Sequence, residues 1–220
     1  MCGRYTLTQP EKLKKRFKTV NDIKKIEPSY NIAPAQYLPT ITRNSPNKIT
    51  MMKWGFVPHW GKDKKLSLIN IRSETVKEKP YFKNILFKDR CLIPSDGFFE
   101  WKKIKLDEKE EKIPYYIRFK DHKIFSFAGI YIILKDAEGK EIFTFAILTT
   151  KPNSLVAKIH NRMPVILQEE NEDLWLNSSA SLNDLLKVLK PYSAKPMTAH
   201  KISKKVNSPR NDYPSILERA

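Results

Sequence analysis

Runs of apolar, β-branched and aromatic residues separated by short polar segments extend along most of the chain, and this pattern predicts a protein rich in β-strands. Residues 124–134 and 142–149 form the two most apolar runs, and the polar segment between them contains Gly139. That arrangement predicts a β-hairpin. Further strands are predicted at residues 49–57, 97–103 and 115–119.

Amphipathic and capped segments predict a few short helices. Residues 8–11, Thr-Gln-Pro-Glu, resemble a capping box with an early proline, and Leu13 and Phe17 follow at i,i+4 spacing. A helix is therefore predicted over residues 9–18. An opening Asn, Gln or Ser and a later Pro or Asn predict three more, at residues 153–160, 169–176 and 181–189.

The order of these elements predicts the fold class. Strands and helices do not alternate regularly, which favours an α+β fold with a largely antiparallel, β-rich core flanked by short helices. No internal repeat or low-complexity linker divides the sequence, and 15 prolines are spread along it against only six glycines. We therefore expect one domain over residues 1–220.

The charge balance indicates a class of partner. The chain has 220 residues with 41 Lys and Arg against 24 Asp and Glu, a formal net charge of +17. Such an excess favours a polyanion, nucleic acid before an anionic membrane surface, although a merely solubilising surface has the same composition. Individually the lysine clusters are typical of solvated surface, but together they can attract a phosphate backbone; they lie at residues 14–15, 24–25, 62–65, 102–105 and 201–205.

Several classes of protein are disfavoured. Cys2 and Cys91 cannot build a disulfide scaffold, and no CxxC pair indicates zinc. The first nine residues lack the apolar segment of a secretory signal, and the longest uncharged apolar run, residues 124–134, is too short for the ~17–25 residues of a membrane span. We expect a soluble, cytoplasmic, DNA-associated protein, monomeric and without cofactor or metal.

Cys2 is the most informative residue for chemistry. Initiator Met is generally removed before a small residue, and removal would leave Cys2 with its α-amine and thiol on adjacent carbons. An amine of this kind condenses with an aldehyde to an imine, and the thiol closes a five-membered thiazolidine. The α-amine pKa of about 7.7–8.0 leaves part of it neutral at pH 7. Considered alone, a cysteine at position 2 is also consistent with a residue that has no role in catalysis.

Two further residues are candidate proton-transfer groups, each with a structural alternative. Glu100 stands among aromatics in residues 97–101, Gly-Phe-Phe-Glu-Trp, so partial desolvation should raise its pKa. It is either a general acid or base or the cross-strand partner of a lysine. His160 precedes Arg162 and Pro164, at the predicted end of a helix that favours the imidazolium. It either transfers a proton or caps the helix.

Polar and aromatic clusters supply candidate binding residues. Asn70 and Arg72 share one face if residues 68–72 are extended, and they can hold a sugar oxygen and a phosphate, unless the segment only caps a helix near residue 74. Trp54 and Trp60 suggest base stacking, although at least one of them fits the core better. Cys91 is interpreted as a buried small hydrophobe.

The ordered set of short motifs resembles the SRAP family, the SOS-response-associated peptidases or abasic-site processing proteins. The resemblance extends from residue 1 to about 212 and leaves residues 213–220 as a C-terminal tail. Its motifs are MCGRY at 1–5, NIAP at 31–34, WGFVPHW at 54–60, NIRSET at 70–75, GFFEW at 97–101, HNRMP at 160–164 and VNSPRND at 206–212. Ile71 and the Phe56–Val57 pair depart from residues that are common in the family.

The resemblance implies a single α+β domain that binds single-stranded DNA and captures abasic sites as a thiazolidine crosslink. By motif it assigns the nucleophile to Cys2 and the other catalytic roles to Asn70, Glu100 and His160. It assigns DNA contacts to Arg4, Arg72 and Arg162, with Asn31 and Pro34 near the nucleotide path. Lyase and self-processing peptidase activities are associated possibilities.

Two other functions stay open at this point. One is an N-terminal-nucleophile amidohydrolase, in which Cys2 attacks an amide with its own amine as base. The other is a basic module that binds single-stranded DNA without catalysis. The net charge disfavours the first, and the set of Cys2, Glu100 and His160 disfavours the second.

Overall fold

The structure is a computed structural model that describes residues 2–21, 26–61, 66–106 and 109–220. The described strands are β1 Tyr5–Leu7, β2 Ser29–Ile32, β3 Tyr37–Thr42, β4 Ser45–Trp54, β5 Asn70–Arg72, β6 Arg90–Ser95, β7 Gly97–Leu106, β8 Lys109–Phe119, β9 Phe125–Lys135, β10 Glu141–Thr150, β11 Met163–Pro164 and β12 Met197–Lys201. The described α-helices are α1 Leu13–Arg16, α2 Ser73–Glu78, α3 Pro80–Lys88, α4 Glu169–Leu176 and α5 Leu182–Lys187.

The strands form two sheets. One has the order β12–β8–β7–β1–β2. In the other, β10, β4, β3, β6 and β9 follow one another, and β9 pairs back with β10 to close the ring. Closure leaves these five strands without an open edge. Among the described pairings only those of β10 with β4 and β5 are parallel. The predicted α+β domain with mostly antiparallel sheets is therefore confirmed.

Aromatic packing joins the two sheets into one core. Tyr5 of the open sheet lies with its ring centroid 5.2 Å from that of Trp54 and 5.7 Å from that of Phe127, both in the closed sheet. Trp54 in turn stacks on Phe145. Rings of this size bury large apolar areas, so the contact between the sheets is a main source of stability.

Most predicted elements are present. The hairpin of β9 and β10 is confirmed, as are the strands around residues 97–103 and 115–119 and the helix at 169–176. The helix predicted at 153–160 is wrong, because that segment contains only a 3-10 turn at Val156–Lys158. None of the described helices is long and apolar enough to cross a membrane. The lysine clusters at 24–25 and 62–65 lie outside the described residues.

The predicted capping box is also wrong, for an identifiable reason. Both the main-chain N–H and the hydroxyl of Thr8 donate to the Asp96 carboxylate, at 2.6 and 2.7 Å. The same carboxylate accepts from the hydroxyl of Thr6. A distant acidic partner therefore takes the hydroxyl that the local pattern assigned to the helix end, and Gln9 occupies the N-cap without a side-chain bond.

Strand β10 brings the candidate chemistry together. On one side it pairs with β5, placing Asn70 opposite Ile147 and Arg72 opposite Thr149. On the other side its last residues pair with β11, which directly follows the segment containing His160 and Arg162. Two distant stretches of sequence therefore reach the same end of the closed sheet.

Candidate active site

Cys2 lies just before β1 and is fully buried. Its thiol donates to the main-chain oxygen of Arg4, with 3.6 Å between sulfur and oxygen. Its own carbonyl accepts from the Asn70 side-chain amide at 2.8 Å, so Asn70 orients the cysteine through the main chain. Burial, and after it the Glu100 charge, raises the pKa of the thiol well above its usual range. The sulfur is therefore held as S–H at neutral pH.

Glu100 is a buried carboxylate in the middle of β7. Its side chain is 2% exposed, and it stands opposite Tyr115 of β8. Burial raises its pKa from 4.5 to about 7, because the ionised form loses hydration. The expectation that the aromatic surroundings raise this pKa agrees with the structure. A carboxyl group with this pKa can both give and take a proton at neutral pH.

His160 lies beside Glu100, with 3.8 Å between its Nδ1 and the Glu100 Oε2 atom. Burial lowers the pKa of His160, so the expectation that a helix end favours its imidazolium is wrong. The main-chain N–H of Arg162 donates to Nδ1 at 3.1 Å. Nδ1 also lies 3.2 Å from the Arg162 carbonyl, so it accepts from that N–H or donates to that carbonyl according to the tautomer.

Arg162 is bound by the protein itself. Its two terminal nitrogens donate to the two oxygens of Glu74 at 2.8 Å each, and one also donates to the carbonyl of Thr149 at 2.6 Å. These bonds lower the pKa of the Glu74 carboxyl to about 2. In this structure the guanidinium therefore binds Glu74 and Thr149, while contact of Arg162 with a phosphate stays a prediction.

Arg4 and Asn31 bind protein atoms in this structure, and their contact with DNA stays a prediction. Asn31 is fully buried, and its amide donates to the carbonyls of Val206, Ser208 and Asn211. The Arg4 guanidinium donates to the Asn31 side chain and to two main-chain carbonyls near residue 206. Both side chains therefore bind the C-terminal part of the chain.

The two tryptophans separate into one core residue and one surface residue. Trp54 is 1% exposed and its indole N–H donates to the carbonyl of Ile69, so the prediction that it stacks on a base is wrong. Trp60 is 50% exposed, and its ring meets that of Tyr81 edge to face with 4.2 Å between the centroids. Of these two tryptophans, Trp60 is the one accessible to a ligand.

Arg72 and Pro34 stay accessible to a ligand. Arg72 is exposed at the end of β5, two residues along the strand from Asn70 and hence on the same face. Pro34 is half-buried in the turn after β2. Within the residues that the structure describes, Arg72 is the one predicted arginine whose side chain lies exposed.

Cys2, Asn70, Glu100 and His160 therefore meet at one place, while Arg4 and Arg162 hold protein atoms around it. Sequence reasoning missed Glu74, the partner of Arg162, and Tyr81, which supports Trp60. Glu74 belongs to the NIRSET motif, but its partner is 88 residues away in the chain. The described ranges contain no group of three or more side chains suited to hold a metal ion.

Known proteins resemble this chain over nearly its whole length. Residues 1–209 match the family model described as SOS response associated peptidase (SRAP). Abasic site processing protein YoqW of Bacillus subtilis strain 168 is 44% identical over 225 aligned residues, covering 99% of each chain. YoaM of the same organism, also described as an abasic site processing protein, is 41% identical, covering 99% of this chain and 98% of its own.

A solved structure shares the fold. The crystal structure of a protein from Bacteroides thetaiotaomicron superposes with a TM-score of 0.87 at 34% identity, and the match covers 100% of both chains. The family model spans more than nine-tenths of the sequence and includes all four residues of the candidate active site. The chain therefore belongs to the SOS response associated peptidase (SRAP) family.

Proposed function

We propose that this protein acts on abasic sites in DNA, and that it captures them in single strands by forming a thiazolidine between Cys2 and the opened sugar. The observation that carries the proposal is the contact set around Cys2: Asn70 holds its carbonyl, and Glu100, whose pKa is about 7, is close enough to raise the pKa of its thiol. Support comes from the relatives YoqW and YoaM, which are described as abasic site processing proteins.

The reaction needs only the aminothiol and proton transfers. After removal of Met1, the neutral α-amine of Cys2 attacks C1′ of the ring-opened abasic sugar and gives a carbinolamine. Loss of water breaks the C–O bond and leaves an imine. The thiol then adds across the C=N bond, so that a C–S bond forms and the thiol proton passes to nitrogen. C1′ stays at the oxidation level of an aldehyde throughout, and one water is released.

The neighbouring groups fit these proton transfers. Glu100 gives a proton to the departing hydroxyl and regains one from the nitrogen as the imine forms. When sulfur adds, Glu100 returns that proton to nitrogen and accepts the thiol proton, since a carboxyl group with a pKa of about 7 can act in both directions. His160 donates a ring N–H to an oxygen of the opened sugar. Asn70 holds the Cys2 main chain while the amine reacts. The imine also permits lyase chemistry, in which loss of a C2′ proton expels the 3′ phosphate.

Strand binding is assigned to the accessible residues around this centre. Arg72 contacts a phosphate on one side, and Trp60 stacks on a base, with Pro34 beside the strand. Base stacking on an aromatic ring contributes about 1–3 kcal/mol per base and needs an unpaired base. The net charge of +17 adds attraction to any nucleic acid. Within this proposal, removal of Met1 is the one peptidase reaction, and the protein acts as a monomer on cytoplasmic DNA.

Replacing each cysteine in turn tests the assignment of the nucleophile. We expect Cys2→Ala to abolish the covalent adduct with abasic single-stranded DNA, because only an aminothiol closes the ring, while affinity for undamaged strands changes less than about threefold. Cys91→Ala is the matched control, since Cys91 is equally buried. Denaturing gels measure the adduct. An adduct of normal yield and heat stability with Cys2→Ala would contradict the assignment.

The raised pKa of Glu100 predicts how stability depends on pH. The folded protein holds this proton more tightly than the unfolded chain, so the wild type loses stability as pH rises from about 4.5 through about 7. Glu100→Gln removes that loss, and we expect it to be more stable than the wild type by roughly 1–3 kcal/mol at pH 8.5 but not at pH 4. Urea unfolding at both pH values measures the difference.

Glu110→Gln is the control for that experiment, because Glu110 is exposed and paired with Lys103. Its effect should be small and nearly equal at the two pH values. A difference between wild type and Glu100→Gln that does not grow with pH would show that burial does not penalise the Glu100 charge.

The salt dependence of binding tests the role of Arg72. For single strands the slope of log K against log salt is about −0.7 per neutralised phosphate. We expect Arg72→Gln to make the slope less steep by about 0.7 and to weaken undamaged and abasic strands alike. Lys187→Gln on α5, which also removes one exposed cation, is the control and should leave the slope unchanged. Equal slopes for all three proteins would exclude a phosphate contact by Arg72.

A further inference from the structure

The last part of the chain lies across the segment that carries Cys2. We name residues 203–212 the C-terminal strap. Val206 of the strap is fully buried in a small apolar cluster with Phe99 and Tyr116. The Trp101 indole N–H donates to the Asn207 side chain at 2.8 Å. The strap is therefore fixed to β7 directly beside Glu100.

Arg4 and Asn31 are the polar anchors of the strap. Arg4 Nη1 donates to the Asn31 side-chain oxygen at 2.6 Å and to the Val206 carbonyl at 3.0 Å, and Nη2 donates to the Asn207 carbonyl at 3.0 Å. The Asn31 amide donates to the carbonyls of Val206, Ser208 and Asn211 at 2.8 to 3.2 Å. At the exposed end, the Asp212 carboxylate accepts from the Ser29 hydroxyl and the Tyr30 N–H.

The same Arg4 residue fixes Cys2. The Arg4 carbonyl accepts from the Cys2 thiol and also from the main-chain N–H of Phe99, which is 3.0 Å away. Phe99 directly precedes Glu100. The Arg4 main chain thus links the thiol to the strand that carries the carboxylate, while the Arg4 side chain is held by the strap. Arg4 therefore connects the strap to Cys2 through one residue.

We propose that Arg4 and Asn31 are positioning residues, which hold the Cys2 thiol and amine in place on β7 by tying the N-terminal segment to the C-terminal strap. Misplacing a reacting group by about 1 Å can cost 10²-fold in rate, so an anchor of this kind controls reactivity without touching the substrate. The kinetic consequence rests on the proposed function, whereas the mechanical coupling does not.

Thiol labelling tests the coupling without DNA. In a Cys91→Ala background only Cys2 can react with a maleimide. We expect Asn31→Ala to speed labelling of Cys2 at least tenfold and to speed amide hydrogen exchange in residues 206–211. Asn21→Ala is the matched control, because Asn21 also binds main-chain groups through its side chain, those of Ile49 on β4, and does not contact the strap. Unchanged labelling in a folded Asn31→Ala protein would overturn the proposal.

A milder variant guards against loss of folding. Asp212→Asn weakens the exposed end of the strap and leaves Arg4 and Asn31 in place. It should speed labelling in the same direction by a smaller factor, roughly two- to fivefold, whereas Asp184→Asn, which weakens a serine contact on α5, should not. Equal labelling of both Asp variants would contradict the proposal even if Asn31→Ala failed to fold.

Crosslinking to abasic single-stranded DNA tests whether the anchors affect reactivity. Asn31→Ala should lower the single-turnover rate constant at saturating DNA at least tenfold, with the Kd for undamaged strands within threefold of wild type. Arg4→Gln should do the same without changing the salt slope. A slope less steep by about 0.7 would make Arg4 a phosphate ligand and overturn its positioning role. Absence of any crosslink with wild type would overturn the proposed function, while the labelling result would still decide the coupling.

Discussion

Burial of the Glu100 carboxyl group beside the Cys2 thiol is the constraint on which the site depends. An ionised carboxylate loses hydration in this position, which raises its pKa to about 7, and the same enclosure keeps the thiol protonated. Both groups are therefore unfavourable for stability in their ionised forms. Glu100 is held in place because β7 is paired with β8 along its whole length. Cys2 is held because its thiol donates to the Arg4 carbonyl, which also accepts from the N–H of Phe99 on β7.

The charged and amide side chains around this pair act mainly on protein atoms. Arg162 is occupied by Glu74 and Thr149, Arg4 by the strap, and Asn70 by the Cys2 carbonyl. Such contacts fix the geometry of reacting groups, and a rigid surrounding structure raises the reaction rate by keeping those groups aligned. Arg72 and Trp60 stay exposed, and the proposed function assigns strand binding to them. The site thus separates residues that position from residues that contact the proposed ligand.

The sequence was sufficient for the elements with strong local patterns. The hairpin of β9 and β10 and helix α4 follow from apolar periodicity and turn residues, and the aromatic neighbours of Glu100 were enough to predict a raised pKa. Closure of five strands into a ring could not be predicted, since it depends on the pairing of β10 with β4, whose residues are about 90 positions apart. The extent of the single domain, residues 1–220, stays a prediction.

Polar side chains with distant partners were the hardest to place from the sequence. Thr8 was assigned to a helix cap and His160 to a helix end from their near neighbours, whereas the family resemblance assigned Arg162 and Arg4 to DNA. In the structure a distant group decides each case: Asp96 binds Thr8, Glu74 binds Arg162, and Asn31 and the strap bind Arg4. His160 is governed by burial. Long-range partners of polar side chains leave no local pattern, whereas apolar periodicity does.

Intact mass spectrometry of the adduct tests the central claim most directly. The protein is incubated with an oligonucleotide that contains one abasic site, and the mass of the covalent product is measured under denaturing conditions. We expect the mass of the protein without Met1 plus that of the oligonucleotide, less one water. Borohydride should leave this mass unchanged, because a thiazolidine has no C=N bond to reduce. An adduct that retains Met1, or one that gains two hydrogens on reduction, would contradict capture by the Cys2 aminothiol.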